Sequence, residues 1–257
     1  MESGRFNLAG KTALVTGGNR GIGFAIARGL AEHGADVVLV ARTAKELAQA
    51  KTQIQKQTQR RVWTFVFDLE NTEKIEGLFD EIVTQTGGVD ILVNCAGITI
   101  RSPAEDVSLD MWDRVHRVNL TSVLRMSQAF CRHRKSAGKG GKIINIGSLT
   151  CSAARPTTAA YASSKSGLMG LTRTLAVEWA KYSINVNAVG PGYITTELTK
   201  PLWSDKDFTK WVLSETPLGR WGQPEDLIGA AVLLASSAGD FITGQTIYVD
   251  GGWLAML

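Results

Sequence analysis

The sequence predicts an α/β fold in which a doubly wound, seven-stranded parallel sheet carries helices on both faces. Seven short apolar runs alternate with amphipathic stretches along the 257 residues. Runs such as ALVT, VVLV and KIINI are continuously apolar, as expected for strands that helices cover on both faces. Regular strand–helix repetition indicates an open parallel sheet. The predicted strands are residues 12–16, 36–40, 62–67, 89–93, 142–146, 184–189 and 246–249.

The spacing of these elements indicates a single domain over residues 1–257. No proline-rich or serine-rich linker interrupts the repetition. One connection, residues 191–217, is long and contains only a short predicted helix near residues 207–214. Long connections in compact domains usually form lids or binding loops. We therefore expect a substrate-binding lid there, with Trp203 and Trp211 either closing over substrate or anchoring the lid.

The charge pattern argues against nucleic acid as a partner. The formal net charge is +4, with 44% hydrophobic and 20% charged residues, which is typical of a soluble globular protein. The one tight basic cluster, residues 132–135, is explained more simply as cations collected at the C-terminal end of a helix. A small-molecule substrate is therefore the expected partner.

The cysteine pattern and hydropathy indicate a cytoplasmic protein. Cys95, Cys131 and Cys151 are odd in number and form no CxxC pair, so we expect neither a disulfide framework nor a metal site. The longest apolar stretch, near residues 228–235, is far shorter than the ~20 residues that cross a bilayer. No membrane segment is expected.

A glycine-rich turn, TGGNRGIG, follows the first strand directly and precedes a predicted helix at residues 24–33. A strand, a glycine turn and a helix N-terminus together bind a pyrophosphate, because backbone N–H groups and the helix dipole converge there. A glycine triplet alone also fits a tight structural turn, but its place inside a βαβ unit favours dinucleotide binding and a Rossmann fold. The residues predicted to contact the cofactor here are Gly17, Asn19, Arg20, Gly21, Ile22 and Gly23.

The end of the second strand indicates which dinucleotide binds. An acidic residue there would hydrogen-bond the ribose 2′-hydroxyl of NAD, but this chain has Ala41 followed by Arg42. Arg20 and Arg42 are placed to clamp a 2′-phosphate between two guanidinium groups. NADP(H) is favoured and NAD(H) remains possible, since two loop arginines also occur without any ligand.

A tyrosine and a lysine four residues apart are the candidate reacting groups. Tyr161 and Lys165 lie one turn apart on one face of a predicted helix, and Ser148 follows the fifth strand, where ligands of open α/β sheets bind. A phenol with a pKa near 10 is almost wholly protonated at neutral pH, and lowering that pKa by ~3 units needs about 4 kcal/mol. We expect the Lys165 ammonium and an oxidised nicotinamide to supply this stabilisation.

These groups suggest a division of labour during hydride transfer. Tyr161 would take the proton from an alcohol or give it to a carbonyl, and Ser148 would hydrogen-bond the substrate oxygen as charge develops on it. A YxxxK pair alone is common on helix surfaces. Its combination with the glycine turn and the strand-end serine is what indicates a reductase site.

From Gly10 to Gly252 the chain resembles the short-chain dehydrogenase/reductases in their single-domain form of about 250 residues. The ordered motifs are TGGNRGIG, Asp68 after the third strand, NCAG at residues 94–97, Ser148 with YASSK, and Pro191-Gly192 followed by Thr195. The resemblance implies a catalytic tetrad in which Asn119 holds a water that links Lys165 to solvent. It also implies a homotetramer, or a dimer, that pairs the helices carrying Asn119 and Tyr161. The further cofactor contacts that it implies are Asp68, Leu69, Asn94, Ala96, Gly97, Tyr161, Lys165, Pro191, Gly192, Ile194 and Thr195.

Within that family the closing stretch, TPLGRWGQPEDLIGAAVLLAS to ITGQTIYVDGGWLA, is similar to the gluconate 5-dehydrogenase and 2-deoxygluconate 3-dehydrogenase group. Arg101 and Arg155 fall on loops that should border the pocket, and either could pair with a substrate carboxylate, although a solvated loop arginine is an equally good interpretation. The sequence leaves two alternatives open. One is a reductase of 3-oxoacyl thioesters or of general carbonyls, and the other is a dinucleotide-binding regulator without catalysis.

Overall fold

The computed structural model describes residues 4–256 and contains one seven-stranded sheet whose strands all run parallel. The predicted α/β class and strand number are confirmed. Residues 1–3 and 257, which the predicted domain includes, lie outside the described residues. The sheet order is β3-β2-β1-β4-β5-β6-β7. The strands are β1 (Thr12–Thr16), β2 (Asp36–Ala41), β3 (Val62–Val66), β4 (Ile91–Asn94), β5 (Gly141–Ile146), β6 (Ile184–Pro191) and β7 (Thr246–Val249).

Helices cover both faces of the sheet and bury two separate apolar layers. Alternate residues of β2 enter opposite layers: Val37 and Leu39 pack on one side, and Val38 and Val40 on the other. The first layer lies under α1, α2 and α9, and the second under α3, α5 and α6. The helices are α1 (Gly21–Glu32), α2 (Ala44–Thr58), α3 (Ile75–Thr86), α4 (Leu109–His116), α5 (Ser122–Ser136), α6 (Ala159–Trp179), α7 (Lys200–Trp203), α8 (Lys206–Glu215) and α9 (Ile228–Ala235).

The strand order reverses at β1, which pairs with β2 on one side and β4 on the other. In open parallel sheets, a crevice forms at such a switch point outside the carboxyl ends of the strands. The glycine turn, which follows β1, therefore lies at the position where the strand order opens a crevice.

The fourth strand begins two residues later than predicted, at Ile91. The Val89 N–H donates to His133 at 3.3 Å, and the Val89 carbonyl accepts from Arg134 at 3.2 Å. Because these side chains from α5 bind the Val89 backbone groups, Val89 lies outside the strand ladder even though its side chain is buried.

The glycine turn brings the first turn of α1 into contact with the end of β1. A Cβ added at Gly23 would lie 2.2 Å from the Gly17 carbonyl oxygen. Gly17 itself adopts φ +68, a left-handed conformation that side chains disfavour, and an added Cβ would lie 3.0 Å from the Ala96 Cα. Only glycine fits this approach, which fixes the start of α1 beside the loop after β4.

Two arginines of the basic cluster have unlike surroundings. Arg134 is 6% exposed, and its guanidinium pairs with Asp90 at 3.0 Å and donates to the Gly140 carbonyl at 2.7 Å. Arg132 is exposed and pairs with Glu76 at 2.9 Å. The cluster at the C-terminal end of α5 therefore includes a buried cation that ties the helix to the starts of β4 and β5.

We predict that Arg134→Ala lowers the free energy of unfolding by about 3 kcal/mol, because it leaves a partly buried carboxylate without its cation and two carbonyl groups without the guanidinium donor. Arg132→Ala, on the same helix, should lower it by no more than about 1 kcal/mol, since its ion pair is exposed. Urea unfolding of both variants measures the difference. Equal losses would contradict the structural role of Arg134.

We also predict that Gly23→Ala costs about 3 kcal/mol of unfolding free energy, because a methyl group cannot share the space of the Gly17 carbonyl. Gly77 is the matched control: it also lies in the first turn of a helix, and an added Cβ there meets nothing within 4 Å. Gly77→Ala should stabilise by about 0.5 kcal/mol. Denaturant midpoints for both variants check the contrast, and an undisturbed Gly23→Ala protein would refute the packing constraint.

Candidate active site

A cleft of about 760 Å³ lies at the carboxyl ends of the strands, and the glycine turn, the loops after β2 to β5 and the 191–217 connection line it. Its volume and position suit an elongated ligand at the switch point. Most of the predicted site residues line this one cleft. They are Gly17, Asn19, Arg20, Gly21, Ile22, Gly23, Arg42, Asp68, Leu69, Ala96, Gly97, Arg101, Ser148, Tyr161, Lys165, Pro191, Gly192 and Ile194.

The glycine turn has the features of a pyrophosphate site. Helix α1 begins at Gly21, and Arg20 at its N-cap makes no side-chain capping hydrogen bond. The first turn of α1 carries no acidic residue that would repel an anion. The backbone N–H groups of this turn border the cleft without a side-chain acceptor, which is the arrangement that a phosphate group fits.

Beyond the C-terminal end of β2, a carboxylate that sequence reasoning missed pairs with Arg20, one of the two arginines predicted to bind a 2′-phosphate. Glu46, in the first turn of α2, accepts from the Arg20 guanidinium at 3.3 Å through one oxygen and from the Asn19 amide through the other. Glu46 lines the cleft together with Arg42. Arg20 is therefore already paired with a carboxylate. The sequence did not reveal this pair, because an acidic residue in the first turn of a helix is explained by the helix dipole alone.

The three candidate reacting groups meet in the middle of the cleft. Ser148 follows β5, and its hydroxyl accepts from the Thr150 N–H at 3.2 Å. Tyr161 and Lys165 both lie in α6, where the Lys165 Nζ is 5.9 Å from the centre of the Tyr161 ring. The Lys165 ammonium donates to the Ile146 carbonyl at 2.6 Å. The end of β5 thus anchors the lysine, while Ser148 and Tyr161 share the cleft wall.

Burial is the largest influence on the pKa values of Tyr161 and Lys165. Burial raises the pKa of Tyr161 to about 12, and the Ser148 side chain, near enough to hydrogen-bond the phenol, partly offsets the rise. Burial also lowers the pKa of Lys165. Desolvation dominates the pKa of Tyr161, and the lowering expected from Lys165 together with an oxidised nicotinamide stays a prediction.

Asn119 lies behind the cleft wall and does not line it. A π-helical turn, Arg117–Thr121, joins α4 to α5 and places Asn119 with no exposed surface. Its Oδ1 accepts from the Ile98 N–H and its Nδ2 donates to the Ile98 carbonyl, both at 2.9 Å, and Nδ2 also donates to Ser164 at 3.1 Å. The side chain thereby joins the loop after β4 to α6, and its predicted role in holding a water stays a prediction.

Asn94 and Thr195 were predicted cofactor contacts, but neither lines the cleft. The Asn94 amide is buried at the end of β4 and donates to Asn145 at 2.9 Å. The Thr195 hydroxyl donates to Gln223 at 2.7 Å. Its neighbour Thr196 faces the cleft instead, because Ile194 pairs with Gly222 in an isolated parallel bridge that sets the alternation of side chains.

Arg101 lines the cleft, whereas Arg155 does not line it and lies near Arg101 on a neighbouring loop. The Ser102 N–H donates to the Thr157 carbonyl at 3.2 Å, which joins the two loops that carry them. Thr157 has φ 66, a strained conformation for a β-branched residue. Burial, followed by the charge of Arg155, lowers the pKa of Arg101. The two guanidinium groups are thus close enough to repel each other.

Neither of these guanidinium groups forms an ion pair with a carboxylate among residues 4–256. The Arg155 guanidinium stacks on Phe208 at 4.1 Å and reaches the Tyr193 hydroxyl. Tyr193, which sequence reasoning did not select, belongs to the 191–217 connection and packs there against Phe208 and Trp211. Two neighbouring cations without an acidic partner form a site suited to an anion.

The 191–217 connection contains a short helix that the sequence did not predict. Besides α8, close to the predicted helix, residues Lys200–Trp203 form α7, and the Trp203 indole donates to the Thr196 carbonyl at 3.0 Å. Trp211 packs on Trp253 with ring centres 5.1 Å apart. Both tryptophans therefore anchor the 191–217 connection, and α7 contributes the cleft residues Pro201 and Leu202.

The described residues contain no group of three or more His, Cys, Asp or Glu side chains arranged to hold a metal ion. Cys95, Cys131 and Cys151 are all free thiols. Cys95 lines the cleft, and burial raises the pKa of its thiol to about 12, so it is a neutral part of the wall at physiological pH. None of the helices between residues 4 and 256 has the length and hydropathy that crossing a bilayer requires.

Comparison with known proteins agrees with this geometry. A short-chain dehydrogenase family model, described as enoyl-(acyl carrier protein) reductase, matches residues 17–254. The chain is 46% identical over 252 residues to a 2-dehydro-3-deoxy-D-gluconate 5-dehydrogenase of Dickeya dadantii, a match that spans 97% of this chain and 98% of the relative. It is 41% identical over 247 residues to a gluconate 5-dehydrogenase of Gluconobacter oxydans, across 96% of each.

A solved structure gives the same result in three dimensions. The crystal structure of a gluconate 5-dehydrogenase from Burkholderia cenocepacia J2315, in complex with NADP and tartrate, matches with a TM-score of 0.95 at 42% identity and covers 100% of both chains. The sequence motifs, the doubly wound sheet and these matches agree. The chain therefore belongs to the short-chain dehydrogenase/reductase family.

Proposed function

We propose that this protein is an NADP(H)-dependent oxidoreductase that transfers a hydride between the nicotinamide and a secondary alcohol or ketone of a sugar acid. The observation that carries the proposal is that Ser148, Tyr161 and Lys165 line the same cleft as the glycine turn. A proton donor, an oxygen-binding hydroxyl and a buried cation thus border the space where a dinucleotide would lie.

The proposed chemistry assigns the proton to Tyr161 and the substrate oxygen to Ser148. When bound, the dinucleotide supplies or accepts the hydride. In reduction, Tyr161 donates its proton to the carbonyl oxygen, and its raised pKa keeps it protonated at neutral pH. Ser148 donates a hydrogen bond to the same oxygen. Lys165 holds positive charge behind the phenol and stabilises the phenolate left after proton transfer.

The proposed preference for NADP(H) rests on the residues at the C-terminal end of β2. Ala41 ends that strand where an acid would favour NAD, and Arg42 follows it in the cleft wall. The gluconate 5-dehydrogenase structure from Burkholderia cenocepacia contains NADP, which supports this choice for a relative of the same fold. Asp68 and Leu69 would border the adenine, and Ile194 the carboxamide, with NAD(H) as the second candidate cofactor.

An acidic substrate follows from the unpaired arginines. Arg101 lines the cleft and Arg155 lies near it, and neither has a carboxylate partner among residues 4–256. Curated relatives at 41% to 46% identity act on gluconate or its deoxy and keto derivatives, and the related crystal structure holds tartrate, a hydroxy acid. A reductase of 3-oxoacyl thioesters is the alternative, which the family model's description favours, but two adjacent guanidinium groups favour a small carboxylate.

A dinucleotide-binding regulator without catalysis is the third candidate. Such a protein would need the cleft but would not need Ser148, Tyr161 and Lys165 together in its wall.

We further propose that residues 1–257 act as one domain, with residues 191–217 as its substrate-binding lid. The protein would work in the cytoplasm as a homotetramer or dimer. Val177 on α6, 81% exposed, is an apolar side chain that such an interface would cover, whereas Leu168 and Leu175 belong to the internal core.

The decisive experiment on this function is Tyr161→Phe. The substitution removes one hydroxyl from a buried ring, so the fold and the affinity for NADPH should be retained. Turnover of 5-ketogluconate should fall at least about 1,000-fold, because no other group takes the proton. NADPH oxidation, followed by absorbance, measures turnover, and fluorescence titration measures nucleotide binding. Activity within about tenfold of the parent would remove Tyr161 from the mechanism.

A second prediction concerns the acid group of the substrate. Arg101→Met and Arg155→Met should each raise KM for 5-ketogluconate about tenfold or more while changing kcat less, because each removes a charge-assisted hydrogen bond to the carboxylate. The matched control is an uncharged ketose such as fructose, whose weaker turnover should not change. Equal effects on charged and uncharged substrates would point to a loss of loop structure.

A further inference from the structure

We propose that Glu46 sets the balance between NADP(H) and NAD(H) by competing with the 2′-phosphate for Arg20. This inference rests on the proposed cofactor. The predicted clamp consists of Arg20 and Arg42, but in the structure only Arg42 has no carboxylate partner within salt-bridge distance among residues 4–256. Arg20 is already bound, through the contact described next.

Glu46 uses both carboxylate oxygens on the glycine turn. One oxygen accepts from the Arg20 Nη1 at 3.3 Å, and the other accepts from the Asn19 Nδ2. Since Asn19, Arg20, Arg42 and Glu46 all line the cleft, this ion pair lies where a group extending from the adenosine ribose toward Arg42 would enter. A 2′-phosphate must therefore draw the guanidinium away from Glu46 or share it.

The charges around Arg20 indicate that Glu46 competes with a 2′-phosphate and does not assist its binding. Glu46 places a negative charge beside the Arg20 guanidinium, one of the two predicted to neutralise a phosphate, in the cleft wall that also contains Arg42. The lining has two other carboxylates, and neither forms an ion pair with Arg20 or Arg42: Asp68 accepts from the Glu70 N–H at 3.0 Å, and Glu197 pairs with Lys200 at 3.9 Å. NAD carries a hydroxyl where NADP carries the phosphate, so Glu46 opposes only the phosphorylated cofactor. Its carboxylate also offers an acceptor to that hydroxyl.

The size of the effect follows from exposure. The Arg20 and Glu46 side chains are 60% and 33% exposed, so water screens their ion pair. Pairs of this kind change equilibria by no more than about fivefold. We therefore expect a modest shift in cofactor preference with no loss of binding, and a shift that shrinks as ionic strength rises.

The opposite role for Glu46 predicts the opposite result. If Glu46 served to hold Arg20 in a conformation that receives the phosphate, neutralising Glu46 would weaken NADPH binding. Glu46→Gln separates the two roles, because glutamine keeps the shape of the side chain and one oxygen acceptor for the Asn19 amide while removing the charge. Glu73→Gln makes the same change in charge at an exposed residue outside the cleft and is the matched control.

The experiment measures dissociation constants of NADPH and NADH by tryptophan fluorescence for the parent, Glu46→Gln and Glu73→Gln, with thermal unfolding as a check of the fold. Adenosine 2′,5′-bisphosphate and adenosine 5′-monophosphate repeat the comparison without the nicotinamide. We expect Glu46→Gln to tighten NADPH and the bisphosphate about three- to fivefold, leave NADH and the monophosphate within about twofold, and lose this selectivity in high salt. Glu73→Gln should match the parent.

A double-mutant cycle with Arg20→Ala tests whether Glu46 affects NADPH binding through Arg20. Because the competition passes through Arg20, Glu46→Gln should tighten NADPH less in the Arg20→Ala background than in the parent. An unchanged or weaker NADPH affinity in Glu46→Gln, with a parent that binds NADPH, would overturn the role of Glu46 and leave the proposed function intact. A parent that binds neither dinucleotide would overturn both.

Discussion

The cleft depends on the close approach between the first turn of α1 and the end of β1. Space for this contact exists only because Gly17 and Gly23 have no side chains, and the nearest backbone atoms would overlap any Cβ placed at Gly23. The contact also places Ala96, from the loop after β4, against the same turn. One packing constraint thus positions the α1 N-terminus and two of the loops that line the cleft.

Behind the cleft, buried polar groups are satisfied by one another, which keeps the reacting groups in place. Asn119 holds the Ile98 backbone and Ser164, and Lys165 donates to the Ile146 carbonyl. These bonds join the turn before α5 to the loop after β4 and to α6, and α6 to the end of β5. Buried polar networks of this kind lose much of their value when one member is removed, so the geometry of Tyr161 is tied to residues that never reach substrate.

The two ends of the cleft differ in how their cations are balanced. At the substrate end, Arg101 and Arg155 repel each other, and no carboxylate among residues 4–256 pairs with them, so an incoming acid meets uncompensated charge. At the cofactor end, Glu46 already neutralises Arg20. Binding of an acid at the first end would relieve repulsion, whereas binding of a phosphate at the second must displace an existing contact.

The sequence by itself determined the sheet, the glycine turn and most of the cleft, because apolar periodicity and glycine spacing are local patterns that act within one element. Predicted strand boundaries differ from the observed ones by no more than two residues. Tertiary structure alone decided that Thr196 and not Thr195 faces the cleft, that Asn119 lies behind its wall, and that Glu46 pairs with Arg20. Those outcomes depend on contacts between segments distant in sequence, such as the Ile194–Gly222 bridge, and no local pattern encodes them.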